Sequence, residues 1–223
     1  MARSNIDDRL QDYKSAFKKW LDDAAVRHIV VVENSGFDLS EFRYMADKAR
    51  LRKEVEFISF DGQDFPRHLG KGFGENIALK EVVRSSKLLA SSKKFIKLNG
   101  RYYVNNSKTF FDEMLRPIDV YCDLSRNLSW SDSRLFGGSL EFLRNYVCTE
   151  CSRINDSAGV FFEHCLARAS LRALADGYTW KMPNTIPDIV GLSGTTNAPY
   201  SDYPAKRVAR MIFRRIKSRI FAR

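Results

Sequence analysis

Apolar positions along the first hundred residues follow two alternating rhythms. From 7 to 25 they fall three and four apart (Leu10, Tyr13, Ala16, Phe17, Trp20, Leu21, Ala24), which predicts an amphipathic helix. His28 to Glu33 is a short valine-rich run, the pattern of a strand buried on both faces, and Asn34-Ser35-Gly36 ends it as a turn. Ser40 to Arg52 reads as a helix with Phe42, Met45, Ala46 and Ala49 on one side. Val55 to Phe60 is a second strand, and a loop with Gly62, Pro66, Gly70, Gly72 and Gly74 follows it. Residues 75 to 90 are helical by pattern, and Lys94 to Leu98 is a third strand closed by Asn99-Gly100-Arg101. Strands alternating with helices over short connections predict an α/β fold with a mostly parallel sheet flanked by helices.

Beyond residue 100 the pattern is less regular. Val120 to Leu124 predicts a strand, Ser139 to Tyr146 suits a short helix or a strand, and Val160 to Ala175 predicts a helix. Pro183 to Tyr203 is rich in proline and small polar residues, so it reads as loop. The last stretch repeats isoleucine or valine every four residues (Val208, Ile212, Ile216, Ile220) among arginines and lysines, a basic amphipathic helix.

Composition changes this picture in one respect. At 223 residues, with 44% apolar and 29% charged positions, the chain can bury a core. Its formal charge of +10 is concentrated in residues 204–223, which carry eight basic residues and no acid. That leaves 29 basic against 27 acidic residues ahead of it, a balance of +2. A nearly neutral body argues against a nucleic-acid binder with a positive surface throughout, so no nucleic-acid partner is expected. No run of 18 apolar residues predicts a membrane span, and Met1 to Asp8 lacks the apolar core of a secretory signal. Four cysteines in a chain of this length predict reduced thiols and a cytoplasmic setting.

Ligands of open α/β sheets bind beyond the carboxyl ends of the strands, and three segments lie there. Glu33, Asn34 and Ser35 follow the first strand, where a carboxylate can accept hydrogen bonds from a base or ribose, or simply close a turn. Lys71, Gly72, Gly74 and Glu75 form a glycine loop opening a helix, a place where backbone N–H groups approach an anion, or a packing turn. Lys97 and Asn99 share one face of the third strand, and Gly100 and Arg101 follow. A lysine inside an apolar strand implies pairing or function, and Arg101 can neutralise a diphosphate.

Taken in order, these segments resemble small bacterial nucleotide-sugar glycosyltransferases of the GT-A type that assemble lipopolysaccharide and capsule. Val30-Val31-Val32-Glu33-Asn34-Ser35-Gly36 resembles their strand followed by E-N-S-G. Leu69-Gly70-Lys71-Gly72-Phe73-Gly74-Glu75 resembles their G-K-G-x-G-E, and Phe95-Ile96-Lys97-Leu98-Asn99-Gly100-Arg101-Tyr102 their F-I-K-x-x-G-R-Y. Asp132-Ser133-Arg134, Phe162-Glu163-His164 and Gly191-Leu192-Ser193-Gly194-Thr195 resemble later elements of the same enzymes. The resemblance implies a GT-A-like domain over 1–203 with a basic membrane-surface helix at 204–223. It implies transfer of a sugar from a nucleotide-sugar donor to a lipid-linked or oligosaccharide acceptor, at the inner face of the cytoplasmic membrane.

Site roles follow from the resemblance. Glu163 is the first candidate for the base that takes the acceptor hydroxyl's proton, Asp132 the second and His164 a third. Arg134 is a phosphate or acceptor contact, and Ser193, Gly194 and Thr195 fold over the donor phosphates. The resemblance departs from the family at two points. The acidic D-x-D that usually holds a metal is replaced by Lys97-Leu98-Asn99-Gly100-Arg101, so no metal ligand is assigned, magnesium or manganese dependence stays open, and cations are expected to offset the leaving diphosphate. The family also begins with one more strand, ahead of the helix that opens this chain.

Other features have plainer readings. Cys148 and Cys151 with His164 and Cys165 suggest zinc only weakly, since no second matching pair exists, and ordinary thiols are expected. Tyr102, Tyr103, Phe110 and Phe111 are expected to pack the core. A basic amphipathic tail suits an anionic bilayer, or docks on the domain by its apolar stripe. Alternatives to the enzyme are a non-catalytic relative acting as scaffold in the assembly complex, and an α/β module touching nucleic acid through the tail.

Overall fold

A computed structural model describes residues 5–192. Helix α1 (Ile6–Asp22) starts where the Asn5 side chain accepts the Asp7 N–H at 2.9 Å, with Asp7 and Asp8 at the positive end of the helix dipole. It leads into β1 (His28–Glu33), and α2 (Ser40–Asp47) crosses to β2 (Glu54–Ser59), which pairs parallel with β1 from His28↔Glu54 to Glu33↔Ser59. Next come α3 (Gly70–Ser85), α4 (Lys87–Ser91) and β3 (Lys94–Leu98). β4 (Tyr102–Val104), α5 (Ser107–Met114), β5 (Val120–Tyr121) and β6 (Leu135–Ser139) follow. A π-helical turn, Phe142–Val147, runs on into α6 (Cys148–Glu150), and α7 (Phe162–Ala175), β7 (Trp180–Lys181) and β8 (Ile189–Gly191) complete the described residues.

The architecture is α/β, but the sheet is mixed rather than mostly parallel. A four-stranded sheet has the order β3-β6-β5-β7, with β6 antiparallel to both β3 and β5 and β7 parallel to β5. β1 and β2 form a separate parallel pair, and β4 and β8 an antiparallel ribbon. The ribbon lies partly in the stretch expected to be loop.

The same helices cover both the β1–β2 pair and β3. Phe17 and Leu21 of α1 belong to a core that takes up Ile29, Val31, Val55 and Phe57, while Trp20 of the same helix packs on the core of Tyr102 and Phe110, which also takes up Ile96 and Leu98 of β3. Leu79 and Val82 of α3 belong with Phe136 of β6 to the large core that also takes up Val30, Val32, Ile58 and Phe95. Alternate residues of β1 and of β3 therefore point to opposite layers, as in one continuous sheet. Among the described residues no ladder hydrogen bond joins β1 to β3. Every residue of β3 is half-buried, whereas the first four of β6 are fully buried.

One further expectation is corrected here, and one strand had not been predicted. α3 starts at Gly70, so Gly72 and Gly74 lie inside the first turns of a helix and not in a loop. A Cβ on Gly72 would sit 3.1 Å from Phe162 Cβ, and one on Gly74 would sit 3.0 Å from the Phe65 ring, so these glycines let α3 pack closely. β6 is the inner strand that the hydrophobic pattern did not reveal. Its Gly137 passes against the Phe95 carbonyl, where a Cβ would come within 2.4 Å. Tyr102 and Phe110 are fully buried, in line with their expected core role. No helix among the described residues is long and apolar enough to cross a membrane.

Candidate functional site

β1 ends at Glu33, whose carboxylate turns back on its own loop. Oε2 accepts the N–H groups of Ser35 (2.8 Å) and Phe37 (2.9 Å), and Oε1 accepts the Ser35 hydroxyl at 2.8 Å. Glu33 and Ser35 thus close the turn. Asn34 faces outward from it, its Nδ2 donating to the Gly74 carbonyl at 3.0 Å and its own carbonyl accepting from Gly62 N–H and Gln63 Nε2. This joins the tip of β1 to the first turns of α3.

One residue past Gly74, the Glu75 carboxylate pairs with the ammonium of Lys97 on β3. Lys97 Nζ also donates to the Ser133 carbonyl at 3.2 Å and stands 5.5 Å from the ring centroids of both Phe136 and Phe162. Its side chain is only 12% exposed. Burial pulls its pKa down to about 8, against the opposing pull of Glu163, Cys151 and Asp132. The Ser133 hydroxyl donates to Glu163 Oε1 at 2.7 Å, and the backbone N–H of Ser131 donates to the Glu163 carbonyl at 3.1 Å. Asp132 holds Arg134 bidentately, with Nε to Oδ1 at 2.9 Å and Nη2 to Oδ2 at 2.6 Å, and also accepts the Arg134 N–H.

Segments far apart in sequence thereby meet. Asn34, Gly74, Glu75, Lys97, Ser133 and Glu163 form one path of direct contacts running from the end of β1 to the start of α7. Asp132 is near enough for its charge to act on Lys97.

Other candidate residues stand apart from this path. Glu33 is closed on its turn, and Lys71 lies on the exposed side of α3. Asn99 Oδ1 accepts the Arg101 N–H at 3.1 Å, and a Cβ on Gly100 would come within 3.1 Å of the Tyr13 ring, so the turn after β3 leans on α1. Arg101 Nε is buried with no hydrogen-bond partner among the described residues. Glu33, Lys71 and Arg101 make no direct contact with one another; Asn34, Glu75 and Lys97 join the three segments instead. His164 accepts the Phe161 N–H on Nδ1 at 3.2 Å, which makes this histidine part of the start of α7. Ser193, Gly194 and Thr195, like the tail 204–223, lie outside the described residues.

Two polar residues were given no role from the sequence. Ser133 stands in the Asp132-Ser133-Arg134 element, where only its two neighbours were given roles, and it links Lys97 to Glu163. Asn76 is 1% exposed, and its Oδ1 has no hydrogen-bond partner among the described residues. Its sequence signal is a polar side chain three residues before Leu79, on the helix stripe that becomes buried.

The segment that replaces D-x-D offers a poor metal site. Lys97 is cationic and occupied by Glu75, Leu98 has no donor, and Asn99 Oδ1 is engaged by the Arg101 amide. Among the described residues no cluster of three His, Cys, Asp or Glu side chains has metal-binding geometry. The four cysteines are buried free thiols, and burial pushes both Cys122 and Cys148 up to about 11. No protein-family model matches the chain, and neither does any curated protein.

Proposed function

We propose that the chain is a glycosyltransferase that moves a sugar from a nucleotide-sugar donor to a lipid-linked or glycan acceptor in bacterial surface polysaccharide assembly. The observation that carries this reading is the meeting of the β1 tip, the start of α3, β3 and the start of α7 around Lys97 and Glu163. Glu163 takes the proton of the acceptor hydroxyl as that oxygen attacks the anomeric carbon. The bond from that carbon to the donor phosphate breaks, and the leaving phosphate oxygen keeps its electron pair. Ser133, donating to Oε1, holds the carboxylate in place for this step. Lys97 supplies the positive charge for the leaving phosphate, which replaces Glu75 as its partner. Asp132 and Arg134 offer paired hydrogen-bonding groups to either substrate. The basic stretch 204–223 brings the enzyme to the anionic surface where lipid-linked acceptors reside.

Thermal denaturation with a panel of uridine, cytidine and guanosine diphosphosugars and monophosphosugars, with and without manganese, tests this. A cognate donor at a hundred times its Kd adds about 2.7 kcal/mol of stability, a shift of several degrees. Glu163→Gln is expected to keep that shift and lose transfer. If no donor moves the midpoint, the enzyme reading falls. A scaffold reading is favoured by one observation, the pairing of Lys97 with Glu75 and of Glu33 with its own turn, which leaves both groups satisfied without a ligand. It predicts membrane binding with no donor-induced shift.

A further inference from the structure

Beside Glu163 stand two large aromatic rings that the fold leaves open to solvent. Trp130 is 40% exposed and Phe161 39%. They are neighbours, with centroids 6.3 Å apart at 64°. His164 joins them, edge-on to Trp130 at 4.9 Å and stacked on Phe161 at 5.7 Å and 24°. Exposed aromatic surface costs free energy, so a group of rings held open to water invites a ligand.

The shelf is built firmly. Ser125 N–H donates to the Trp130 carbonyl at 2.8 Å, and Trp130 N–H donates to the Ser125 hydroxyl at 3.1 Å. Asn127 Oδ1 accepts the Ser125 hydroxyl at 2.8 Å and the Ser129 hydroxyl at 2.9 Å. Leu128 takes a left-handed turn with φ of 61°, an unusual conformation that this hydrogen-bonded loop supports. At the base of the loop, Ser131 is tied to the Glu163 backbone. The loop that carries Trp130 is thus tied to the backbone of Glu163, and Phe161 and His164 lie two residues before and one after Glu163 in the chain. A loop ordered before binding loses little entropy when a ligand lands on the ring it carries.

The neighbouring polar groups indicate which ligand. A nucleobase on a nucleic-acid strand would need a row of cations for its phosphates, and residues 123–134 carry only Arg126 and Arg134 against Asp123 and Asp132, with Arg134 already held by Asp132. A lipid chain would need an apolar surround. A pyranose has both features the shelf offers to match. Its axial C–H bonds present a weakly positive, apolar face to the negative face of an aromatic ring. Its equatorial hydroxyls point to the rim, where carboxylates and a guanidinium bind them.

We infer that Trp130 and Phe161 seat the terminal pyranose of the acceptor glycan and present one of its hydroxyls to Glu163. This rests on the glycosyltransferase reading and adds the chemical class of the acceptor's recognised end. Saturation-transfer NMR on the full chain tests it, using the methyl α- and β-pyranosides of glucose, galactose and N-acetylglucosamine. The donor-induced thermal shift is measured on the same samples. At least one glycoside is expected to receive saturation on the protons of its apolar face. Trp130→Phe is expected to keep the signal, and Trp130→Ala to lower it about fivefold, with the donor shift unchanged in both. Phe161→Ala replaces the tryptophan variant if that one does not fold. Saturation that survives both alanine variants overturns the proposal. So does a wild type that stabilises with donor yet saturates none of the glycosides, and the transferase reading then stands alone. If donor shift and saturation both fail, the two fall together. Saturation without any donor shift removes the acceptor role.

Discussion

Lys97 concentrates the chemistry of this molecule in one residue. Strand alternation put it on the same face as Asn99 and among apolar neighbours, so a paired or functional cation was legible in the sequence. Its partner was not, because Glu75 lies 22 positions earlier on a helix and only packing brings the two together. Glu33 shows the opposite case. A carboxylate at the end of a strand read as a ligand contact, while its nearest donors are the amides of its own turn. The burial of Lys97 has a consequence for stability. In the folded chain its ammonium gives up a proton near pH 8, and in the unfolded chain near 10.5. Between these values the unfolded chain binds more protons, so stability rises with pH through this window. Compared with Lys97→Met, which cannot titrate, wild type is expected to gain about 3 kcal/mol from pH 8 to 10.5 in urea denaturation. A constant difference across that range would show that the ammonium is not held in a desolvated place.

At the scale of elements, β1 and β3 matched their predicted bounds and β2 came within a residue, because apolar runs bounded by turn residues encode strands locally. β6 was missed although it is the strand that joins β3 to β5. Its Gly137 and Gly138 erase the apolar alternation, and the reason for them is tertiary. Gly138 has φ of 153°, and a Cβ there would come within 2.1 Å of the Asp119 carbonyl. Likewise the glycines of α3 suggested a loop until Phe162 and Phe65 explained the need for close approach. The absence of a ladder between β1 and β3 among the described residues also has a measurable effect. Alternate amides of both strands lack a strand partner on that side, whereas β6 is paired on both of its edges. Hydrogen exchange is expected to be about a hundredfold faster, or more, at those alternate positions than along β6. Even protection along β1 would mean that another segment covers its edge.

For the whole molecule, the division of charge was plain from composition alone, with a balance of +2 up to residue 203 and eight basic residues after it. Each lysine or arginine near an anionic bilayer adds about 1 kcal/mol of attraction. The full chain is expected to sediment with vesicles rich in anionic lipid and to be released by high salt. Removing 204–223 is expected to lower that binding more than tenfold, with neutral vesicles bound weakly in either case. Equal binding to neutral vesicles would rule out the charge mechanism. By itself the sequence determined the α/β class, the early helices and strands, the buried lysine and the basic end, since each is written in periodicity, burial pattern or charge over a few neighbouring residues. Only the tertiary structure decided that the sheet is mixed, that α3 begins among its glycines, and that Glu75, Ser133 and Glu163 gather around Lys97. Those features depend on contacts between residues 20 to 60 positions apart or more, and no local pattern carries information about what a side chain meets across such a distance.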